Sequence, residues 1–196
     1  RFALEMDIIT RCYSDLLTSD PIPPTTRLPF SKEEIKKVWE HQKEPWVDTV
    51  LILLYSGWRI SELLNLKPED INLQAGTMKG GTKTKAGKDR VVPIHSKIRA
   101  LVEARLAEGG PRLISYNGRA CSQTQYRVFW ADIMKALEMN HTPHECRHTF
   151  ETQLDSAGAN RKCIDLLMGH VSKDTGNRVY NHKTLDELKS TVELIQ

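Results

Sequence analysis

Chemistry-bearing side chains concentrate between Thr142 and Tyr180: His144, Glu145, Arg147 and His148 in one run, then Gly169-His170, then Tyr180. His144-Glu145-Cys146-Arg147-His148 has the literal form H-E-x-x-H, in which two histidines one turn apart bind zinc and the glutamate activates water. Thr142-Pro143 immediately before it marks an N-cap and a first helical position, so the run occupies a helix's first turn. That end of a helix presents free N–H groups and partial positive charge, which favour an anion and disfavour a dication. Arg147 adds a permanent cation, and no third histidine follows at metalloprotease spacing. The match to the zinc signature is accidental on this reading. The same geometry suits a phosphate, because His144 and Arg147 are three residues apart and project together. A guanidinium fork fits paired phosphodiester oxygens.

Such a site needs further groups. Arg59 can supply a second guanidinium, and two together would stabilise the charge that builds on a pentacovalent phosphorus. Tyr180 can attack, since surrounding cations favour the phenolate of a side chain whose ordinary pKa is about 10. A lysine on a hairpin tip can give a proton to the leaving oxygen. Each residue alone also has a plainer reading. Arg59 can pair structurally with Glu62, Tyr180 can be packing, and His170 can be a satisfied core histidine. The cations from Lys79 to Arg90 can be a solvated tip or a phosphate contact.

The elements that must position these groups follow from pattern. Phe2, Met6, Ile9, Tyr13 and Leu16 have amphipathic helical spacing. Thr18 to Pro29 holds four of the nine prolines and reads as an extended linker. Ser31-x-x-Glu34 is a capping box that opens a helix to about His41. Trp46 to Tyr55 is almost wholly apolar and predicts a buried helix, which Gly57 ends before a short helix starts at Arg59. Thr77–Thr84 and Arg90–Ile94 predict a β-hairpin around Lys85-Ala86-Gly87-Lys88, with Pro93 at an edge or strand end. Further helices are expected over Ser96–Ala107, Ser122–Leu137, and about 143–157, 160–168, 174–181 and 184–194. Leu113–Tyr116 is a strand or loop before the turn Asn117-Gly118. The fold class is mainly α with a small antiparallel β-sheet (α+β).

Bulk properties set outer limits. The 196 residues suit one ordinary domain, and 39% hydrophobic with 27% charged residues is a globular composition. No apolar run reaches the roughly 18 residues of a membrane span. The four cysteines form no C-x-x-C pair and read as reduced thiols. A net charge of +3 is uninformative by itself; the local run Lys79, Lys83, Lys85, Lys88 and Arg90 says more.

Taken together, these motifs resemble the tyrosine recombinase, or phage integrase, family. Gly57-Trp58-Arg59-Ile60-Ser61-Glu62-Leu63 is similar to its first arginine box, and Thr82-Lys83-Thr84-Lys85 with Arg90-Val91-Val92-Pro93 to its hairpin segment. Thr142-Pro143-His144-x-x-Arg147-His148-Thr149-Phe150, Leu167-x-Gly169-His170 and Tyr180 complete the second box. The resemblance runs from about Leu28 to His182. Glu145-Cys146 where Asp-Leu is common, and Met168 for leucine, are its departures.

The resemblance implies the catalytic-domain fold of DNA breaking-rejoining enzymes. It makes Tyr180 the nucleophile of a 3′-phosphotyrosyl link, Arg59 and Arg147 the phosphate clamp, and His144 and His170 hydrogen-bonding or proton-handling groups. Lys83 is the expected general acid, with Lys85 second, and Glu62 and His148 are supporting residues. Lys79, Lys85, Lys88 and Arg90 are the expected DNA contacts. No metal, cofactor or ATP is implied. The implied partners are double-stranded DNA with specific recombination sites, a tetramer of the chain on that DNA, and accessory DNA-bending proteins. The implied setting is bacterial cytoplasm at the nucleoid, with integration or excision of a phage or integrative element as the task. Residues 1–27 are expected to be the remnant of a DNA-clamping domain plus linker, 28–183 the catalytic domain, and 184–196 a tail helix available for exchange between protomers. The competing readings are a zinc hydrolase on His144, Glu145 and His148, and a DNA-binding module without chemistry.

Overall fold

A computed structural model describes residues 28–81, 88–170 and 183–196, with residues 5, 6, 8 and 10 near the start. Most of the expected helix over residues 2–17, most of the proline linker, the hairpin tip up to residue 87 and the helix at 174–181 lie outside the described residues.

The described chain is mostly helical with two small antiparallel sheets. Helix α1 (Lys32–Glu40) begins at the expected capping box: Glu34 N–H donates to Ser31 Oγ at 3.1 Å, and Ser31 N–H to the Glu34 carboxylate at 2.8 Å. Helix α2 (Val47–Ser56) is the centre of the core, with every residue but Asp48 buried. Its Thr49 and Ser56 hydroxyls are satisfied locally, Thr49 by the Trp46 carbonyl and Ser56 by the Ile52 carbonyl, as buried polar groups require. Gly57 ends α2 at φ 63°, a left-handed conformation that glycine adopts without strain. A Cβ there would come within 2.4 Å of the Phe150 ring, so the turn sits hard against a later helix.

Helix α3 (Ile60–Leu63) follows, then a 3-10 turn over Pro68–Asp70. The first sheet has strands β1 (Ile71–Asn72), β2 (Thr77–Gly80) and β3 (Arg90–Pro93) in that order, with Thr77 opposite Pro93 and Gly80 opposite Arg90. The hairpin stands where expected and Pro93 ends an edge strand. Strand β1 adds to it, because two residues are too few to show an alternating pattern. The expected helix from Ser96 divides into a 3-10 turn, Ser96–Ile98, and α4 (Arg99–Ala107). Strands β4 (Ser115–Tyr116) and β5 (Arg119–Ala120) form a tight hairpin on Asn117-Gly118, both at positive φ.

Helices α5 (Gln123–Ala136), α6 (Pro143–Ser156) and α7 (Arg161–Met168) complete the body, with α6 packed along α2. The tail helix α8 (Leu185–Val192) lies against α7 and β3 of its own chain. Leu188, Val192 and Ile195 are buried there, whereas Leu185 is exposed. His95 Nε2 donates to the Ile195 carbonyl at 2.9 Å, and Ser96 binds the Glu193 carboxylate through N–H and Oγ, both at 2.7 Å.

Candidate active site

The turn after α2 and the first turns of α6 build the site. Arg59 is the N-cap residue of α3, and Glu62 reaches back to accept its backbone N–H at 3.1 Å and its Nη1 at 3.1 Å. Glu62 is itself buried and accepts a two-pronged contact from Arg90, Nη1 at 2.9 Å and Nη2 at 2.8 Å. Burial alone would raise the Glu62 carboxyl. The Arg90 fork and Arg59 outweigh it and hold the group below its usual range.

Arg90 departs from the expectation of a DNA-contacting side chain. Its side chain is 4% exposed, its guanidinium lies 4.1 Å over the Trp58 ring, and its fork is taken up by Glu62. The strand pattern carried that signal: Val92, two residues on, faces the core, so Arg90 points the same way. Lys79 and Lys88 are exposed at the hairpin, as a surface contact requires.

Arg147 is buried on α6. Its Nη1 donates to the Gly57 carbonyl at 2.7 Å, its Nη2 donates to the Met168 carbonyl, and Nη2 stands 3.5 Å from His170 Nε2. Burial, then repulsion from Arg59 and Arg90, pushes its guanidinium down to about 9 against partial relief from Glu62 and Glu151. His170 follows α7 through Gly169 at φ 62°, and its N–H bonds the Asp165 carbonyl in a Schellman arrangement. Burial and Arg147 lower the His170 pKa, while Glu151 and Asp165 oppose that shift. Sequence reasoning missed the two carbonyl acceptors of Arg147, because backbone acceptors leave no trace in residue type.

The structure therefore brings Arg59, Glu62, Arg147 and His170 together. His144 and His148 are exposed on α6, whereas Glu145 between them is buried and accepts the Thr142 N–H as the capping-box residue. Glu145 thus faces away from the side on which the two histidines would hold a metal. Among the described residues no group of three or more His, Cys, Asp or Glu could hold a metal ion. Tyr180, Lys83 and Lys85 lie outside the described residues. Among the described residues no helix is long and apolar enough to cross a membrane.

A helical domain with a small sheet, in which two guanidiniums converge at the end of a buried central helix, is the catalytic-domain fold of tyrosine recombinases. The crystal structure of XerA recombinase shares it with a TM-score of 0.66 at 26% identity, over 91% of this chain and 69% of that one. The Tn1549 transposon integrase in complex with circular intermediate DNA matches at 0.68 and 23% identity, over 96% of this chain and 73% of that one. A lambda integrase tetramer bound to a Holliday junction matches at 0.70 and 18% identity, over 89% of this chain and 55% of that one.

Residues 30–187 match the Phage integrase family, and the chain belongs to that family. Its relatives include the tyrosine recombinase XerA of Pyrococcus furiosus, 33% identical over 193 residues, which cover 92% of this chain and 66% of the relative. The tyrosine recombinase XerC of Pelobacter propionicus is 36% identical over 148 residues, 71% of this chain and 48% of that relative. The chain thus spans 66% of the length of the one and 48% of the other.

Proposed function

We propose that this chain is the catalytic part of a site-specific DNA recombinase that cleaves and rejoins strands through Tyr180. The observation that carries the reading is the buried Arg147. It is fixed by two backbone carbonyls, stands beside Arg59, and is pushed down to about 9 by burial and by neighbouring cations. A cation held this way is a receptor for an anion. Family membership and the DNA-bound integrases of the same fold support DNA as the source of that anion.

In the proposed reaction Tyr180 Oη attacks the scissile phosphorus, a P–O(Tyr) bond forms and the P–O5′ bond breaks. Lys83, with Lys85 as the second choice, protonates the departing O5′, and a new 5′-hydroxyl reverses the step to rejoin strands. Arg59 and Arg147 hold the non-bridging oxygens, and His144 and His170 hydrogen-bond the phosphate or manage protons. Glu62 fixes Arg59, and His148 supports from the exposed face of α6. Lys79 and Lys88 contact flanking DNA. The phosphotyrosyl link keeps the diester's energy, so the reaction requires neither metal nor ATP.

The wider assignments belong to the same reading. Residues 28–183 form the catalytic domain, 1–27 a DNA-clamping-domain remnant with a proline-rich linker, and 184–196 a tail, docked here on α7 and β3 of its own chain, that is available for exchange between protomers of a tetramer on double-stranded recombination sites. Accessory DNA-bending proteins and a bacterial, nucleoid-associated cytoplasmic setting complete it, with integration or excision of a phage or integrative element as the task. The test is incubation with nicked suicide DNA substrates in the presence of EDTA. A covalent protein–DNA adduct is expected; strand scission that needs a divalent metal and leaves no adduct would contradict the proposal.

A further inference from the structure

His141, just ahead of α6, is gripped from several sides. Its side chain is 9% exposed, and its ring stacks on Phe30 with centroids 3.9 Å apart. Nε2 lies 3.1 Å from the Glu34 carboxylate on α1, and Nδ1 lies 3.3 Å from the Glu145 carboxylate on α6. Its own carbonyl accepts Trp130 Nε1–H from α5 at 2.6 Å. A neutral imidazole has one N–H donor and one acceptor, whereas carboxylates only accept. Both contacts are hydrogen bonds only for the imidazolium, which donates twice.

The bridge reaches the site through Glu145. The Glu145 oxygen facing His141 also accepts the Thr142 N–H that starts α6. Phe30 N–H donates to Thr149 Oγ1 at 2.8 Å, and that hydroxyl donates to the Glu145 carbonyl at 2.7 Å. The segment leading into α1 is thus bolted to the first turns of the helix that carries His144 and Arg147. The charged groups facing His141 are Glu34 from α1 and Glu145 from α6; Phe30 and Trp130 are neutral. Lys37, one turn along α1, is turned to Glu138 at 3.3 Å.

We propose that His141, bridging Glu34 and Glu145, is a positioning residue that sets the first turn of α6 and so aims His144 and Arg147. The aiming role rests on the strand-transfer reading, while the bridge itself stands on geometry. Removal of the ring would leave the Glu34 and Glu145 carboxylates without the group that joins them, and the bridge would open. Small misplacement of catalytic groups is enough to slow a positioned reaction.

The experiment compares the purified wild-type chain with His141→Gln, His141→Arg and Glu34→Gln. Hydrogen exchange of the Glu145 and Cys146 backbone amides is measured together with the adduct-formation rate and the affinity for the same DNA. His141→Gln should lose about tenfold in amide protection and about tenfold in rate, with DNA affinity changed less than about twofold. His141→Arg, a permanent cation with several donors that can still reach both carboxylates, should keep the rate and the amide protection. Unchanged protection and rate in His141→Gln would overturn the inference. Should that variant fail to fold, the half-exposed Glu34→Gln decides it on the same exchange readout, with unchanged protection again counting against it. Should wild type form no adduct at all, the proposed function fails, and the bridge is still judged by amide exchange.

Discussion

Arg147 Nη1 donates to the Gly57 carbonyl at 2.7 Å, which ties the helix bearing one guanidinium to the turn that leads into the other, Arg59. The two arginine boxes are about ninety residues apart in sequence and meet because α6 packs along α2. Gly57 permits that meeting, since any side chain would strike Phe150. Position is set by the core and charge by the cations, and the proposed chemistry needs both.

Arg147→Lys tests the geometry of this link. A lysine keeps the charge but lacks the planar fork that reaches the Gly57 and Met168 carbonyls while still facing an anion. The adduct-formation rate on a suicide substrate should fall about a hundredfold, the scale of losing one preorganised donor at a reacting centre. A loss under about threefold would show that charge alone suffices.

The unpaired charge of the site predicts anion-dependent stability. Burial and the neighbouring cations bring the folded Arg147 guanidinium down to about 9, well below its ordinary value. Between those values the unfolded chain binds the additional proton, so the contribution of this group to stability rises with pH; below about 9 the burial penalty is fully present. An anion in the site should relieve it. Sulfate should raise Tm by about 2–4 °C beyond chloride at equal ionic strength, and Arg147→Met should lose that increment. His170 is also depressed below 6.5, so its contribution weakens as pH falls below 6.5. Thermal scans at pH 5 and 7 of His170→Gln should show a flatter dependence than wild type.

Arg90 and Lys88 are neighbours in sequence with opposite fates. Arg90→Ala leaves Glu62 buried with Arg59 as its remaining charged partner and should cost about 3 kcal/mol or more in denaturant unfolding. Part of the Glu62 contribution is pH-dependent: its folded pKa is lowered, so the stabilisation is present above about 4.5 and is lost as pH falls through the folded value. Lys88→Ala, on the exposed hairpin, should leave unfolding unchanged within about 0.5 kcal/mol. It should instead reduce the slope of log affinity against log salt by about 1 on DNA. Equal stability loss in both variants would contradict the inward placement of Arg90.

Much of this was legible in the sequence because local rules and tertiary structure agree. The Ser31 capping box, the Thr142-Pro143 helix start, the apolar run that became α2 and the Asn117-Gly118 turn each carry a signal within a few residues. Arg59, Arg147 and His170 were readable as a set, and the fold brings them together. What stayed hidden depends on contacts far apart in sequence. The Arg90 fork to Glu62 spans 28 positions and the His141 bridge to Glu34 spans 107. Carbonyl acceptors and a two-residue strand leave no mark on residue type or period, so Gly57, Met168 and β1 could not be foreseen in their roles.

In the proposed reaction Tyr180 Oη forms the covalent bond to the DNA phosphorus. The direct measurement is proteolysis of the protein–DNA adduct from a nicked suicide substrate, followed by mass spectrometry of the DNA-linked peptide. A 3′-phosphotyrosyl link is expected on the peptide containing Tyr180, and no adduct from Tyr180→Phe under the same conditions. A link mapped to another residue, or an adduct that persists in Tyr180→Phe, would contradict it.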